Sequence, residues 1–304
     1  MVIKLGNTEI NKIYLGNTEI SNVYLGNWLL LHTTNEDEIK IVGLTSKNSE
    51  SFIIDWGDGT IETVSSSTSL NKTHTYGSLF TGYVKIKCVS SNIFTNLDRL
   101  HSDKGHWDFN LSVFEPFDDI DYLYFRGNTM PITGNLSSIN SVSGSLLYLN
   151  GTAMTVTGDL SSVHTSLYQV YLIGSLMTLT GNLSHFESFS NIGFLYLIGS
   201  SMTVSGDLNS LKDVSFEINI NSSSLNLTYT PTTWSSIPNT NLVVRASSGQ
   251  LTSTEVDNLL IDLDNSGDTG TANIDLRGNS GAPTVASASA ITSLQSKGYN
   301  VLTN

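Results

Sequence analysis

Leu123-Tyr-Phe-Arg-Gly-Asn-Thr-Met130 returns three times, as Leu147-Tyr-Leu-Asn-Gly-Thr-Ala-Met154, Val170-Tyr-Leu-Ile-Gly-Ser-Leu-Met177 and Leu195-Tyr-Leu-Ile-Gly-Ser-Ser-Met202. The starts lie 24, 23 and 25 residues apart. Each copy runs on into a second shared piece: Thr133-Gly-Asn-Leu136, Thr157-Gly-Asp-Leu160, Thr180-Gly-Asn-Leu183 and Ser205-Gly-Asp-Leu208. A fixed period of this size means one structural unit stacked on the next, because no single copy can bury its apolar face alone. Apolar residues at every second position predict a strand with one face turned inward. Weaker copies follow at Ile218-Asn-Ile220, Leu242-Val-Val244 and Ile274-Asp-Leu-Arg-Gly-Asn279, and a degenerate first copy begins near Leu97.

Over residues 93–304 this pattern resembles the leucine-rich repeat, L-x-L-x-x-N-x-L, followed here by T-G-x-L. Asn128 and Asn279 supply the pattern's Asn, whereas the middle copies carry Thr152, Ser175 and Ser200 there. The resemblance implies a solenoid with a parallel sheet. Solenoid ends need caps, because a bare terminal repeat exposes its core. At the C-terminal side Thr252-Ser-Thr-Glu255 reads as a capping box, opening a helix with Val256, Leu259, Leu260 and Leu263 on one face. A last helix is expected over about residues 285–297, stopped by Gly298, with Ile291 and Leu294 inward.

Upstream, residues 34–92 alternate strand-like runs with turn signals: Ile39–Val42, Phe52–Asp55, Thr60–Thr63 and Tyr83–Val89. The segment Ile54-Asp-Trp-Gly-Asp-Gly-Thr60 with His74-Thr-Tyr76 resembles the polycystic-kidney-disease-type (PKD-type) domain. That implies a β-sandwich serving as an adhesion or spacer module, with Asp55 and Asp58 structural. Asp58-Gly59 is expected to form a type I′ hairpin turn. Residues 4–30 hold ten-residue units, Lys4-Leu-Gly-Asn-Thr-Glu-Ile10 and Tyr14-Leu-Gly-Asn-Thr-Glu-Ile20, each reading as strand, Gly-Asn turn, strand. Units this small cannot build a core, so residues 1–33 are expected either to dock on something larger or pair with copies of themselves, or to form a small β-meander packed on the next domain. The expected fold is mainly β: small N-terminal β repeats (1–33), a PKD-like β-sandwich (34–92), then a leucine-rich-repeat solenoid with short C-terminal capping helices (93–304).

Composition narrows the function. Of 304 residues only 13% are charged and the net charge is −13, so no clustered Lys/Arg surface exists to track phosphates, and nucleic acid is not an expected partner. The single cysteine, Cys88, excludes a disulfide framework and reads as a buried strand thiol. The N-terminus lacks a basic start and an apolar core like those of a signal peptide, and no apolar run reaches the roughly 18 residues of a membrane helix. No G-x-S-x-G, H-E-x-x-H or phosphate loop occurs, so no enzyme and no cofactor are expected.

Two places carry candidate chemistry. Asp262, Asp264, Ser266 and Asp268 match the start of a calcium loop, but Asn273 stands where its bidentate Glu belongs, and a helix-end loop is the simpler reading. His101 and His106 flank Asp103 without a fuller ligand set. The richer candidate is a row: Tyr124, Tyr148, Tyr171 and Tyr196 hold the same outward position in successive repeats, flanked by Tyr122, Gln169, Phe194 and Glu217 on one side and Arg126, Asn150, Asn221 and Arg245 on the other. Such a stripe is a platform for a glycan or protein epitope, or a set of cross-strand pairs that stabilise the sheet.

The Leu-Gly-Asn-Thr-Glu-Ile units and the Leu251-Thr-Ser-Thr-Glu-Val256 to Tyr299 region together resemble surface and fibre proteins of tailed bacteriophages. The resemblance implies a virion structural protein, either tail fibre or capsid decoration. Residues 1–33 would anchor it to other virion proteins or to a second copy, and the repeats would face host glycan or protein. A bacterial cell-surface leucine-rich adhesin and a purely structural decoration protein without a ligand are the alternatives.

Overall fold

A computed structural model describes residues 3–5, 8–10, 13–15, 18–20, 27–103, 107–234, 236–246, 251–278 and 280–304, and the chain is mainly β. Near the N-terminus β1 (Ile3–Leu5) pairs antiparallel with β2 (Thr8–Ile10), and β3 (Ile13–Leu15) with β4 (Thr18–Ile20). Each ten-residue unit is thus a small hairpin. The Gly-Asn turns fall outside the described residues.

β5 (Leu29–Ile41), β6 (Gly43–Ser46), β7 (Phe52–Asp55), β8 (Ile61–Val64) and β9 (Lys72–Cys88) follow. Four of them form an antiparallel sheet in the order β5-β9-β7-β8. Leu29 and Leu31 point into the same core as Ile39 and Ile41, so the strand begins five residues before the boundary expected at 33/34. The two separated motif pieces, residues 54–60 and 74–76, meet at one place. Tyr76 Oη donates to the Trp56 carbonyl (3.0 Å), and the His74 ring stacks on Trp56 at 4.8 Å while its Nε2 lies 2.9 Å from Asp58. The expected type I′ turn is not formed. Gly57 (φ +90°) and Gly59 (φ +98°) take positive φ but Asp58 does not, and the loop closes instead through Trp56 N–H to the Thr60 carbonyl (3.0 Å). The Asp58 carboxylate accepts the Thr60 N–H (2.9 Å), which holds that residue in ordinary backbone.

After α1 (Ile93–Asn96) come β10 (Leu97–Ser102), β11 (Ile120–Arg126), β12 (Thr133–Asn135), β13 (Val142–Asn150), β14 (Thr155–Asp159) and β15 (Gln169–Ile173). Then follow β16 (Thr178–Asn182), β17 (Phe194–Asp207), β18 (Glu217–Thr228), β19 (Asn241–Ala246), α2 (Ser253–Asn265), β20 (Asn273–Asp275), α3 (Ala288–Ser296) and β21 (Asn300–Leu302). The main ladder runs β10-β11-β13-β15-β17-β18-β19-β20-β21, every pair parallel. A second parallel ladder joins β12, β14, β16 and the far half of β17. The alternating apolar residues all point inward: Leu123 and Phe125, Leu147 and Leu149, Val170 and Leu172, Leu195 and Leu197 are buried.

The Thr-Gly-(Asn/Asp)-Leu piece has a physical job. Asn135, Asp159, Asn182 and Asp207 each cap a 3-10 turn, accepting the N–H two residues on at 2.9–3.0 Å. The preceding glycine lies against the cap of the previous repeat. A Cβ on Gly206 (φ +117°) would sit 2.5 Å from Asn182 Oδ1, so only glycine lets one repeat close on the next.

Strand pairing crosses the boundary expected near residue 92. β6 leaves the four-stranded sheet and pairs antiparallel with β10, so it forms the edge of the long sheet. Around it Val42 N–H donates to the His101 carbonyl (2.8 Å), Ser102 Oγ to the Lys40 carbonyl (2.8 Å) and Trp107 Nε1 to Ser102 Oγ (2.7 Å). One apolar core runs from Leu29 to Tyr299. Of the described strands between residues 29 and 88, four make one antiparallel sheet and β6 belongs to the long sheet. At the other end the capping box at Thr252 forms as expected, with Val256, Leu259, Leu260 and Leu263 buried. α3 begins at Ala288 rather than 285, and the chain then adds β21 as a last strand beyond both helices.

Candidate functional site on the outward face of the long sheet

Register decides which side chains share a column. Tyr124, Tyr148, Tyr171 and Tyr196 are paired strand to strand, as expected, and the column begins one rung earlier with His101 and continues to Asn219, Val243 and Asp275. On one side lie Arg99, Tyr122, Leu146, Gln169, Phe194 and Glu217; on the other Arg126, Asn150, Ile173, Ile198, Asn221 and Arg245. The face thus gathers the residues singled out from sequence.

The rings form a continuous stack. Centroids are 4.1 Å apart for His101–Tyr124, 4.2 Å for Tyr124–Tyr148, 4.9 Å for Tyr148–Tyr171 and 4.5 Å for Tyr171–Tyr196. Rings at this spacing cover one another's faces and turn their edges and hydroxyls outward. The row is therefore a line of phenol hydroxyls, not an open aromatic floor on which a sugar ring could lie. Burial pushes the Tyr124 and Tyr171 hydroxyls up to about 12, against the opposing Arg126 hydrogen bond at Tyr124, and Tyr196 moves in the same direction, helped by its hydrogen bond with Glu217. All three stay protonated at neutral pH and can donate. Asn150 Nδ2 donates to Tyr148 Oη (2.9 Å), and Arg126 hydrogen-bonds Tyr124.

Sequence reasoning missed several members. The Arg99 guanidinium lies 3.6 Å from the Tyr122 ring centroid, a cation–π contact made by a degenerate first copy whose strand was foreseen but whose outward residues were not read. Phe194 stacks on Phe216 at 5.3 Å and meets Tyr168 edge-on at 6.1 Å, giving a second aromatic group beside the row. Farther along, Asn241 donates to Glu217 (2.7 Å), Asn273 to Asn241 (2.7 Å) and Asn300 to Asn273 (2.8 Å), a ladder of side-chain hydrogen bonds. Buried Asp275 lies between Arg245 and Arg277. Burial opposes its charge, but hydrogen bonds from Arg277 and Arg245 prevail and hold the carboxyl far below its usual range. All four arginines of the sequence, Arg99, Arg126, Arg245 and Arg277, lie in or directly beyond these columns, in a chain of net charge −13.

The calcium candidates do not converge. Asp262 accepts from Tyr229 Oη (2.8 Å) and Thr232 N–H (2.9 Å), Asp264 from Lys297 Nζ (2.6 Å) and Asp268 from Ile237 N–H (2.7 Å), while Ser266 Oγ donates to the Leu263 carbonyl (2.8 Å). These acids tie α2 to its neighbours, and no group of three metal-ligating side chains occurs among the described residues. His101 pairs with Asp103 (3.4 Å), whereas His106 lies outside the described residues. No described helix is long and apolar enough to cross a membrane. Comparison with protein-family models, curated proteins and solved structures finds no match.

Proposed function

We propose that the chain is a non-enzymatic display protein of a tailed-bacteriophage virion, a fibre, tail or capsid decoration component, that presents this face to a host-surface glycan or protein. In this reading the hairpins within residues 1–33 attach it to other virion proteins or to a second copy. The PKD-like sheet is a spacer, and the stacked repeats are a leucine-rich-repeat solenoid. The observation that carries the reading is the in-register row of hydroxyl-tipped rings, rimmed by arginines and amides on a rigid parallel sheet. Pre-ordered tyrosines offer contact at little conformational cost. A structural decoration protein with no ligand is the second reading, favoured by the mutual stacking that already occupies the ring faces.

Tyr148→Phe with Tyr171→Phe separates the two, because it removes hydroxyls and keeps the stack. Each lost hydrogen bond to a ligand is worth about 1 kcal/mol, so the pair should weaken adsorption of the purified chain to host cells by about 30-fold. The melting temperature should stay within a few degrees. Unchanged adsorption would assign the row to scaffolding alone.

A further inference from the structure

The column beside the tyrosines reads Arg126, Asn150, Ile173, Ile198, Asn221, Arg245, the same sequence of side-chain types from either end. Next to it the strands turn at Gly151, Gly174 and Gly199, and a trough of about 400 Å³ opens along the stack from Asn150 to Asn221. Ile173 and Ile198 form its floor with those glycines, and Thr152, Ser175, Ser200 and Ser222 supply hydroxyls along it. Bare glycine is required there: a Cβ on Gly174 would lie 2.7 Å from the Gly151 carbonyl oxygen and 3.0 Å from the buried Met177 side chain. Five strand steps of about 4.8 Å separate the two arginines, so the charged ends stand about 24 Å apart.

We infer that this trough binds a linear carboxylated polysaccharide, its uronate carboxylates held by Arg126 and Arg245 and its hydroxyls by the residues between. The inference rests on the ligand-display reading above and names the ligand class. Three features point to that chemistry. First, the ends are cationic in an acidic protein: Arg126 is exposed and has no carboxylate at ion-pair distance among the described residues, Asp103 acting on it only from farther off, and Arg245 shares the single Asp275 with Arg277. Second, hydroxyls between them already spend their protons on backbone carbonyls of the preceding repeat. Thr152 donates to the Asn128 carbonyl (3.0 Å) and Ser222 to the Met202 carbonyl (2.6 Å). Thr152 Oγ1 thereby keeps its lone pairs for the O–H groups of a sugar, whereas Ser222 Oγ also takes the Ser224 N–H (3.4 Å). Third, the trough is long, open and shallow, the shape for an extended chain and not for a compact molecule. The Tyr124 and Tyr148 hydroxyls, tied to Arg126 and Asn150, stand along its near side.

The test is titration of the full chain with hexagalacturonate, maltohexaose and hexaglutamate, repeated with Arg126→Ala and with Ser175→Trp. Ser175 is exposed, so the tryptophan fills the trough without entering the core. The expected result is hexagalacturonate binding that falls at least tenfold in each variant and falls as salt rises, with maltohexaose at least tenfold weaker. Circular dichroism checks that both variants fold. Maltohexaose binding equally well and blocked by Ser175→Trp would overturn the charge assignment and leave the display reading standing. Hexaglutamate binding in place of the uronate would make the occupant an acidic peptide and overturn the saccharide. Uronate binding indifferent to Ser175→Trp, or no uronate binding by a chain that still adsorbs to host cells, overturns the trough; failure of adsorption as well overturns the display reading itself.

Discussion

Replacing Gly206 by Ala tests how one repeat locks onto the next. The new Cβ would sit 2.5 Å from Asn182 Oδ1 and 3.0 Å from Leu183 N, at a φ of +117°. That backbone conformation alone costs a residue with a Cβ about 1–3 kcal/mol. The contact adds a second cost, because Asn182 must give up its 2.9 Å bond from the Ser184 N–H, a cap worth about 1 kcal/mol. Gly206→Ala should therefore destabilise by about 2–4 kcal/mol and Asn182→Ala by about 1 kcal/mol. The two should not add. With the Asn side chain gone, the alanine meets less resistance and no cap remains to break, so the double variant should fall short of the sum by about 1 kcal/mol. Urea denaturation followed by circular dichroism measures all four corners of the cycle. A double variant equal to the sum within about 0.3 kcal/mol would refute the claim that cap and glycine act as one lock.

Residues 93–304 expressed alone should melt well below the full chain and bind a hydrophobic dye, because removing β6 strips the edge of β10 and leaves Trp107 and Leu100 without their cover; a native-like melt would show that the earlier strands are dispensable. Acid should also destabilise the chain. The Asp275 carboxyl is held below its ordinary 3.8 in the folded state, so its contribution is complete above that value and is lost as pH falls through the lower folded value. Asp275→Asn should be less stable at pH 7 and lose less between about pH 4 and pH 2, measured by denaturant midpoints; parallel acid profiles for the two proteins would contradict the assignment.

The repeats were legible because their information is local. Leucine alternation fixes which side chains point inward, and a constant spacing fixes register, so Tyr124, Tyr148, Tyr171 and Tyr196 could be placed in one column before any coordinates. What escaped was long-range or geometric. Gly43–Ser46 carries no mark that its partner is Leu97–Ser102, more than fifty positions on, so this pairing is not legible in the sequence. Leu29–Thr33 alternates like the hairpins before it, which hid its place in β5. His101 was considered as a ligand rather than a rung because Leu100-His-Ser lacks the Tyr of the later copies. That the rings stack, and so show edges instead of faces, depends on side-chain rotation that sequence does not record.

The proposed role requires the outward face of the long sheet to meet the host. Hydroxyl-radical footprinting of the full chain, free and mixed with purified host envelope, tests it directly. Protection is expected at Tyr124, Tyr148 and Tyr171 and along the trough from Asn150 to Asn221, with the 3-10 turns at 136–139 and 183–188 unchanged. Protection confined to those turns or to the β7–β8 loop, with the tyrosine row fully labelled, would contradict it.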